Sequence, residues 1–281
     1  MTDRADRSTT PVDISLVTDG TAQAMPDQLA TEEPLEIRLQ AAGEMRKIAV
    51  TMRTPGHDPE LAAGFLYAEG VIGSWSDIGR FVFVHTTDGR PQENIIVVEL
   101  AANAMPDLSP LERHFYTTSA CGVCGKAGLE SLLTNRAPKI PEGPTVTPDL
   151  LYSLPVKLRS TQGVFGATGG LHAAAIFDSE GSLLASREDV GRHNALDKVI
   201  GWALSQGLLP LHDRIVMVSG RSSYEIVQKC IAAEVPFLCA VSAPSSLAVS
   251  MAREYGITLI GFLRGNRLNV YAGPERLAHG C

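Results

Sequence analysis

The sequence contains no long apolar run and no secretion signal. No stretch of about 18 or more apolar residues is free of charged side chains, so no transmembrane helix is predicted. Residues 1–11 are polar and charged and lack the apolar centre of a signal peptide. These two absences predict a cytoplasmic protein that does not enter a membrane.

Positive charge is also scarce. The chain has 24 Lys and Arg residues against 31 Asp and Glu residues, which gives a formal net charge of -7. This balance argues against general binding to nucleic acid or to anionic membranes, although it allows a local basic pocket. A hydrophobic content of 44% with 20% charged residues is sufficient for a packed globular core.

The cysteines do not form a disulfide framework. Their number is odd, and they stand in a chain of 281 residues without a secretion signal. They are Cys121, Cys124, Cys230, Cys239 and Cys281. We expect mostly reduced thiols, with Cys230 and Cys239 buried as small hydrophobic residues because their neighbours are apolar.

The first third of the chain predicts a mixed α/β region. Apolar residues alternate with polar ones at 35–39 and at 48–52, which indicates two half-buried strands. A helix is predicted from Asp58, as its cap, to about Val71, and further β-rich runs follow at 80–85 and 94–100. Residues 138–148 carry four prolines and cannot form a helix interior, so they predict a connector between two domains.

The last part of the chain alternates between predicted strands and helices. Strands are expected at 171–177, 182–186, 214–218, 237–241 and 258–262, and helices at 194–204, 223–233 and 245–255. This rhythm indicates a largely parallel sheet covered by helices, and ligands on such sheets bind at the carboxyl ends of strands. The predicted division is a flexible tail (1–12), an N-terminal mixed domain (13–137), the connector and an αβα domain (149–281).

Cys121 and Cys124 form the sharpest chemical signal. They are three residues apart, flanked by Gly122 and Gly125, with Lys126 next in the chain. Two such thiols can bridge, bind a metal together or share a persulfide. The glycines suit an exposed loop, and a helix is expected to begin about Lys126 and to run to Leu133. A lysine and a helix N-terminus each lower a thiol pKa and so raise the thiolate fraction.

Three other interpretations of this pair are weaker. A structural zinc site usually needs a second ligand pair, and Cys230 and Cys239 are not spaced as one. A thioredoxin-type motif would follow an early strand, whereas this pair stands in mid-chain after a polar, proline-containing loop. An inert surface pair is disfavoured because exposed thiols are a liability. Sulfur or redox chemistry is therefore favoured over a metal site.

Polar segments elsewhere could also serve a ligand. Residues 187–194 lead from a strand into a helix, so Arg192 and His193 could face an anion, while Glu188 and Asp189 could equally be capping and pairing groups. Residues 219–223 follow a buried strand, and Arg221 could hold phosphate there, although an ordinary strand-to-helix turn explains the same pattern. A turn role is expected for His57 and a core position for His172.

The motifs together resemble the formate dehydrogenase accessory sulfurtransferases, the FdhD family. The resemblance extends roughly over residues 34–277. It lies in RTPGHDPELAAGFL at 53–66, CGVCG at 121–125, EDVGRHNALDK at 188–198, SGRSSYE at 219–225, SAPSSLA at 242–248 and GFLRGNR at 261–267. Each segment alone is a moderate signal, but their occurrence in this order is specific.

The resemblance implies a fold and a function. The fold would be a cytidine-deaminase-like αβα core of the α/β class, with a smaller mixed N-terminal domain. A cysteine desulfurase would load sulfur onto Cys121, with Cys124 assisting, and the sulfur would pass to molybdenum or tungsten bis-pyranopterin guanine dinucleotide before that cofactor enters formate dehydrogenase. By position, the cofactor-binding candidates are Phe262, Leu263, Arg264, Gly265, Asn266, Arg267, Arg221 and His193.

Several further expectations accompany this assignment. Guanine nucleotide should mimic the cofactor, the chain should form a homodimer, and the cysteine loop around residues 115–126 should be mobile. One alternative is a zinc-dependent deaminase, but that chemistry needs H-x-E with P-C-x-x-C, and here Cys121 follows Ala120. A second alternative is a cofactor-binding chaperone without sulfur chemistry.

Overall fold

A computed structural model describes residues 7–85, 91–102, 104–108, 140 and 143–278. Both cysteines of the predicted sulfur site, Cys121 and Cys124, lie outside these ranges, as do Cys281 and the predicted mobile loop. The described residues form twelve strands, arranged in three sheets, and six α-helices.

A two-stranded hairpin opens the described chain. It pairs β1 (Thr9–Thr18) with β2 (Thr21–Ala30) around the turn Asp19-Gly20, where both residues have positive φ. Asp-Gly turns of this conformation match the twist of antiparallel strands. Because β1 begins at Thr9, the hairpin includes part of the segment that the sequence predicts to be a tail, residues 1–12.

A four-stranded sheet follows the hairpin. It consists of β3 (Glu33–Ala41), β4 (Glu44–Arg53), β5 (Ile78–His85) and β6 (Pro91–Leu100), in the order β4-β3-β6-β5. Leu35, Ile37 and Leu39 are buried on its inner face, as their alternation predicts. All four strands predicted in this region are confirmed.

Helix α1 (Asp58–Ala68) covers the inner face of that sheet and differs from its prediction at both ends. It stops before Val71 because Gly70 adopts a left-handed conformation, with φ 72°. His57, not Asp58, is the residue preceding the first turn, and it also has positive φ. The Asp58 carboxylate accepts two hydrogen bonds from the Arg53 guanidinium instead of capping the helix.

The second half of the chain builds a six-stranded sheet in the order β12-β11-β10-β9-β7-β8. Its strands are β7 (His172–Phe177), β8 (Leu183–Asp189), β9 (Ile215–Val218), β10 (Phe237–Ala240), β11 (Thr258–Arg264) and β12 (Arg267–Ala272). Only the pairings β9–β10 and β10–β11 are parallel, so the prediction of a largely parallel sheet is half right. The pairings β7–β8, β7–β9 and β11–β12 are antiparallel, and short turns, not helices, join β7 to β8 and β11 to β12.

Helices cover both faces of this sheet. The helices of this half are α2 (Pro148–Thr161), α3 (Gly163–Thr168), α4 (Arg192–Ser205), α5 (Tyr224–Ala232) and α6 (Ser246–Tyr255). On β9, Val216 and Val218 pack toward α4, α5 and α6, whereas Ile215 and Met217 pack toward α2. Such two-sided burial explains the continuous apolar runs of the strands, and the predicted α/β class with an αβα core is confirmed.

Two glycines bring α1 and α4 into backbone contact. A Cβ atom on Gly64 would lie 1.9 Å from the Asp197 carbonyl oxygen, and one on Gly201 would lie 1.9 Å from the Glu60 carbonyl oxygen. Only glycine fits where two helix backbones approach this closely. The four-stranded sheet and the six-stranded sheet are therefore joined through one tightly packed helix pair. The division into domains at residues 138–148 stays a prediction.

Candidate functional site

Three loops meet at one end of the six-stranded sheet, where the parallel strands β9, β10 and β11 finish. They are residues 219–223, 242–245 and the turn between Arg264 and Arg267. Backbone hydrogen bonds hold them together, from Ser245 N to Ser222 O at 3.0 Å and from Phe262 N to Ser242 O at 3.2 Å. We refer to the surface formed by these three loops as the rim.

His172 stands at the rim because β7 runs antiparallel to β9. The Ser219 hydroxyl accepts a 2.9 Å bond from Ala173 N, and Ser219 N donates to Ala173 O at 2.9 Å. A Cβ on Gly220 would come within 3.3 Å of the His172 ring and 3.7 Å of Arg192 Cβ. Gly220 thus allows the histidine and the start of α4 to approach the β9 loop from two sides.

The surroundings of His172 favour a neutral imidazole. The ring is half-buried, contrary to the expected core position, and its burial lowers the pKa below the ordinary value of 6.5. The nearby positive charges of Arg192, His193 and Arg221 lower the pKa further, while Asp189 opposes them. The pKa of His172 therefore depends on its burial and on the positive charge around it.

His193, a sequence candidate, lies in the first turn of α4 beside the β9 loop. Its Nε2 is 2.9 Å from Glu225 Oε2 and 3.3 Å from the Ser223 hydroxyl. Burial alone would raise the pKa of Glu225, but the hydrogen bond and charge of His193 outweigh it and lower that pKa. His193 is thus already held by a carboxylate and is half-buried.

The turn after β11 carries the remaining candidates. A Cβ on Gly261 would meet Tyr271, Pro244 and Ser242 at 2.9–3.1 Å, so glycine is required where β11 passes the β10 loop. Phe262 has φ 51° at a bulge, and its ring lies 6.0 Å from the Arg264 guanidinium. Leu263 is fully buried, so its side chain belongs to the core. The exposed candidates are Arg264, Gly265, Asn266 and Arg267, together with Arg221 on the β9 loop.

A cleft lies between the rim and the helices α2 and α3. One cavity of about 610 Å³ is lined by His172, Ser219 and Phe165 among others, and a second of about 460 Å³ by Leu263, Arg264 and Gly265. Pro155, Arg159 and Val241 line both cavities. The cleft therefore extends along the carboxyl ends of the parallel strands, where open α/β sheets bind ligands.

Arginines around the cleft differ from those elsewhere. In the N-terminal region and at β8, arginines form ion pairs, such as Arg53 with Asp58 and Arg187 with Glu60. Among the described residues, by contrast, the arginines on the rim and around the cleft have no carboxylate within ion-pair distance; they are Arg159, Arg192, Arg221, Arg264 and Arg267. The buried Arg192 Nε also has no hydrogen-bond partner there. Guanidinium groups without a carboxylate partner suit an anionic ligand, and of these five Arg264 also donates from its Nε to the Val241 carbonyl at 3.0 Å.

The acidic half of the 187–194 segment has a structural role. Glu188 accepts hydrogen bonds from Val164 N at 3.0 Å and Phe165 N at 2.8 Å, at the start of α3. Asp189 is fully buried and lies 2.6 Å from Lys198 Nζ, with a further bond from Thr54 N. Of the two interpretations left open for this segment, the structural one applies to Glu188, which caps α3, and to Asp189, which pairs with Lys198, whereas Arg192 and His193 face the rim.

Arg159 is not among the site residues predicted from the sequence because helix α2 was not predicted. Its signals were present: Thr147 caps the helix through a 3.3 Å bond from Leu150 N, Pro148 occupies the first turn, and Leu151, Leu154 and Leu158 are buried on one face. Pro155 inside the helix and the proline-rich stretch before it concealed them.

Metal-binding and membrane-spanning features are not found in the part of the chain that the structure describes. No group of three His, Cys, Asp or Glu side chains there could hold a metal ion, and no helix is long and apolar enough to cross a membrane. Cys230 and Cys239 are buried free thiols, and burial raises the pKa of Cys239 to about 12. Neither is suited to act as a nucleophile.

The described geometry can be compared with known proteins. A model of the FdhD/NarQ family matches residues 30–278. The chain belongs to this family. It is 51% identical to the sulfur carrier protein FdhD of Streptomyces avermitilis over 267 residues, which cover 93% of each chain. It is 49% identical to the protein of that name from Mycobacterium tuberculosis, over 90% of this chain and 92% of the relative.

A solved structure shares the fold. It is a chain from Desulfotalea psychrophila, provisionally described as a formate dehydrogenase accessory protein, and it matches with a TM-score of 0.73. The match covers 96% of this chain and 99% of that one at 24% sequence identity. At this identity the likeness concerns the fold alone, and it supports the α/β architecture described above.

Proposed function

We propose that this protein is a cytoplasmic sulfur carrier that serves formate dehydrogenase. It accepts sulfur from a cysteine desulfurase on Cys121 and delivers it to molybdenum or tungsten bis-pyranopterin guanine dinucleotide. The observation that carries the acceptor half of this proposal is the cleft with its unpaired arginines. The sulfur half is supported by the relatives, which are named sulfur carrier proteins and are 51% and 49% identical to this chain.

The loading step is a thiol–persulfide exchange. The Cys121 thiolate attacks the terminal sulfur of the desulfurase persulfide, and the desulfurase cysteine leaves as a thiolate. The S–S bond broken on the donor is replaced by one on Cys121, so no outside electrons are needed. A lysine near a thiol raises the thiolate fraction, and Lys126 follows the cysteine pair in the sequence.

The release step gives Cys124 its role. The carried sulfur must gain two electrons to leave as hydrosulfide, which can then become a ligand of the metal. Attack of the Cys124 thiolate on the inner sulfur of Cys121 supplies them, because it expels hydrosulfide and leaves a Cys121–Cys124 disulfide. A cellular dithiol reductant then restores both thiols.

The cofactor is the substrate of this reaction and carries two guanine nucleotides with diphosphates. Arg221, Arg264 and Arg267 are exposed on the rim and can donate to phosphate oxygens in the two-pronged geometry that guanidinium groups favour. The two adjacent cavities, which share Pro155, Arg159 and Val241, offer room along the strand ends. A guanine nucleotide such as GDP should bind as a fragment of the cofactor and raise the melting temperature.

The test of the sulfur half is persulfide loading. After incubation with a desulfurase and cysteine, native mass spectrometry of the wild type should show the mass of one added sulfur atom. Cys121→Ala should lose that adduct and fail to activate formate dehydrogenase in cells that lack the wild-type protein. Cys124→Ala should load sulfur but activate less, and Cys281→Ala is the matched control. Normal activation by Cys121→Ala would refute the carrier role.

The test of the acceptor half is calorimetry with GDP. Wild type should bind, and Arg267→Ala should bind more weakly without losing the sulfur adduct. Absence of binding to folded wild type would remove the cofactor site. Native mass spectrometry also tests the proposed homodimer.

Two alternative functions have their own outcomes in these experiments. A chaperone without sulfur chemistry would still activate formate dehydrogenase when both Cys121 and Cys124 are replaced. A deaminase or a structural metal site would yield purified protein with one tightly bound zinc per chain. Neither outcome is expected from the sulfur-carrier proposal.

A further inference from the structure

Arg159 occupies a central position in the cleft. It comes from α2, on the side facing the rim, and lines both cavities together with Pro155 and Val241. Arg264 lines one of these cavities from the rim, and His172 lines the other. A ligand that extends from one cavity into the next must therefore pass Arg159.

The Arg159 guanidinium is stacked and free to donate. Its Cζ atom lies 4.3 Å from the centroid of the Phe165 ring, so the planar group rests on an aromatic face. Its side chain is exposed, and in the described ranges it has no carboxylate partner. Stacking fixes the plane of the group while its N–H edges remain available, which reduces the entropy lost on binding an anion.

The aromatic platform is itself fixed. Glu188 on β8 accepts hydrogen bonds from the backbone N–H groups of Val164 and Phe165 and so anchors α3 against the sheet. Gln162 is buried between α2 and α3, and its backbone carbonyl accepts a hydrogen bond from Gly166 N at 3.0 Å. Arg159 and Phe165 therefore lie on two consecutive helices, α2 and α3, whose junction is held by hydrogen bonds.

We propose that helix α2 forms the second wall of the ligand site and that Arg159, stacked on Phe165, binds a diphosphate group opposite Arg264. This inference rests on the proposed cofactor site and extends it to a residue outside the rim loops. It assigns Arg159 to direct ligand contact and Phe165 to positioning, because the ring acts through the guanidinium that it holds.

The experiment compares the binding of GDP, guanosine and inorganic pyrophosphate by calorimetry. Arg159→Ala should weaken binding of GDP and pyrophosphate by roughly 10- to 100-fold, the loss expected for charged hydrogen bonds, and should change guanosine binding little. Arg159→Lys keeps the charge but not the planar fork, so its loss should be intermediate. Phe165→Leu should weaken GDP binding by about two- to fivefold.

Arg253→Ala is the matched control. Arg253 is also exposed and lies on α6, where it donates to the Tyr271 carbonyl, and it lines neither cavity. Arg253→Ala removes the same charge as Arg159→Ala, so unchanged GDP binding in this control would exclude a general electrostatic effect. Thermal melting of each variant verifies folding.

The outcomes separate this inference from the function that it extends. If wild type and Arg159→Ala bind GDP equally well, the second wall is refuted and the rim site stands. If folded wild type binds neither GDP nor pyrophosphate, the cofactor site and the role of Arg159 fail together. An equal loss in Arg159→Ala and Arg253→Ala would also refute a specific contact.

Discussion

At the scale of single residues, His172 links the cleft to pH. Its pKa lies below 6.5 because burial and the positive charge of neighbouring residues, Arg192 above all, disfavour the charged ring, so the unfolded chain takes up this proton first. The free energy of unfolding should therefore fall as the pH drops below about 6.5, the ordinary pKa of histidine. His172→Gln should remove part of this acid sensitivity in urea titrations between about pH 7 and pH 5.

The same residue gives a second observable in the presence of ligand. A bound diphosphate favours the protonated ring, so GDP binding should tighten as the pH falls and should be accompanied by proton uptake. Calorimetry in two buffers of different ionisation enthalpy measures that uptake. An identical pH dependence of stability and of GDP affinity in wild type and His172→Gln would contradict this linkage.

The sequence motifs identified important positions, but they did not distinguish ligand-facing residues from structural ones. The sequence singled out residues 187–194, yet only the structure separates Arg192 and His193 at the rim from Glu188 and Asp189 in structural contacts. Which arginines lack a carboxylate partner depends on contacts between distant segments, such as Arg187 with Glu60. No local pattern contains that information.

At the scale of elements, the crossing of α1 and α4 gives the sharpest expectation for stability. Gly201→Ala places a methyl group against the Glu60 carbonyl of α1, and the two backbones must separate. We expect a loss of at least about 3 kcal/mol in the free energy of unfolding, at the upper end of overpacking effects. Chemical denaturation measures this loss.

Gly166→Ala is the control for that prediction. Gly166 lies in α3, and nothing is within 4 Å of the position that its Cβ would take. Alanine should be neutral or stabilise by up to about 1 kcal/mol there. A Gly201→Ala variant as stable as wild type would show that the helices are not in backbone contact.

Most strands and helices were predictable from the sequence pattern, and each exception has a physical cause. Buried parallel strands such as β9 appear as short apolar runs between turns, and β3 alternates because it has one buried face. Helix α2 was missed because of Pro155. The hairpin β1–β2 was missed although Asp19-Gly20 between alternating residues is a strong hairpin signal.

At the scale of the whole molecule, a buried network joins the two main sheets. Lys198 on α4 donates to the Thr54 carbonyl at 2.9 Å and pairs with Asp189, and Asn194 donates to the Met52 carbonyl at 2.7 Å. Separating the sheets would leave a buried lysine and carboxylate without part of their hydrogen bonds.

We therefore expect one cooperative unfolding transition. Calorimetric and van't Hoff enthalpies should agree, and far-UV circular dichroism should follow the same curve as tryptophan fluorescence. Two resolved transitions would instead indicate that the chain divides at residues 138–148 into independently stable units.

The α1–α4 contact also has a consequence for the growing chain on the ribosome. Helix α4 begins at Arg192, 124 residues after α1 ends at Ala68 (192 minus 68). At the usual rate of about 5–20 residues per second, α1 waits roughly 6–25 s for its partner. Until then the α1 surface around Gly64, which contacts α4 in the folded protein, lacks that partner. The four strands of the N-terminal sheet are complete by Leu100, so only the burial of this helix surface depends on translation of the second half. Stalling before Arg192 should therefore leave an intermediate with that surface exposed.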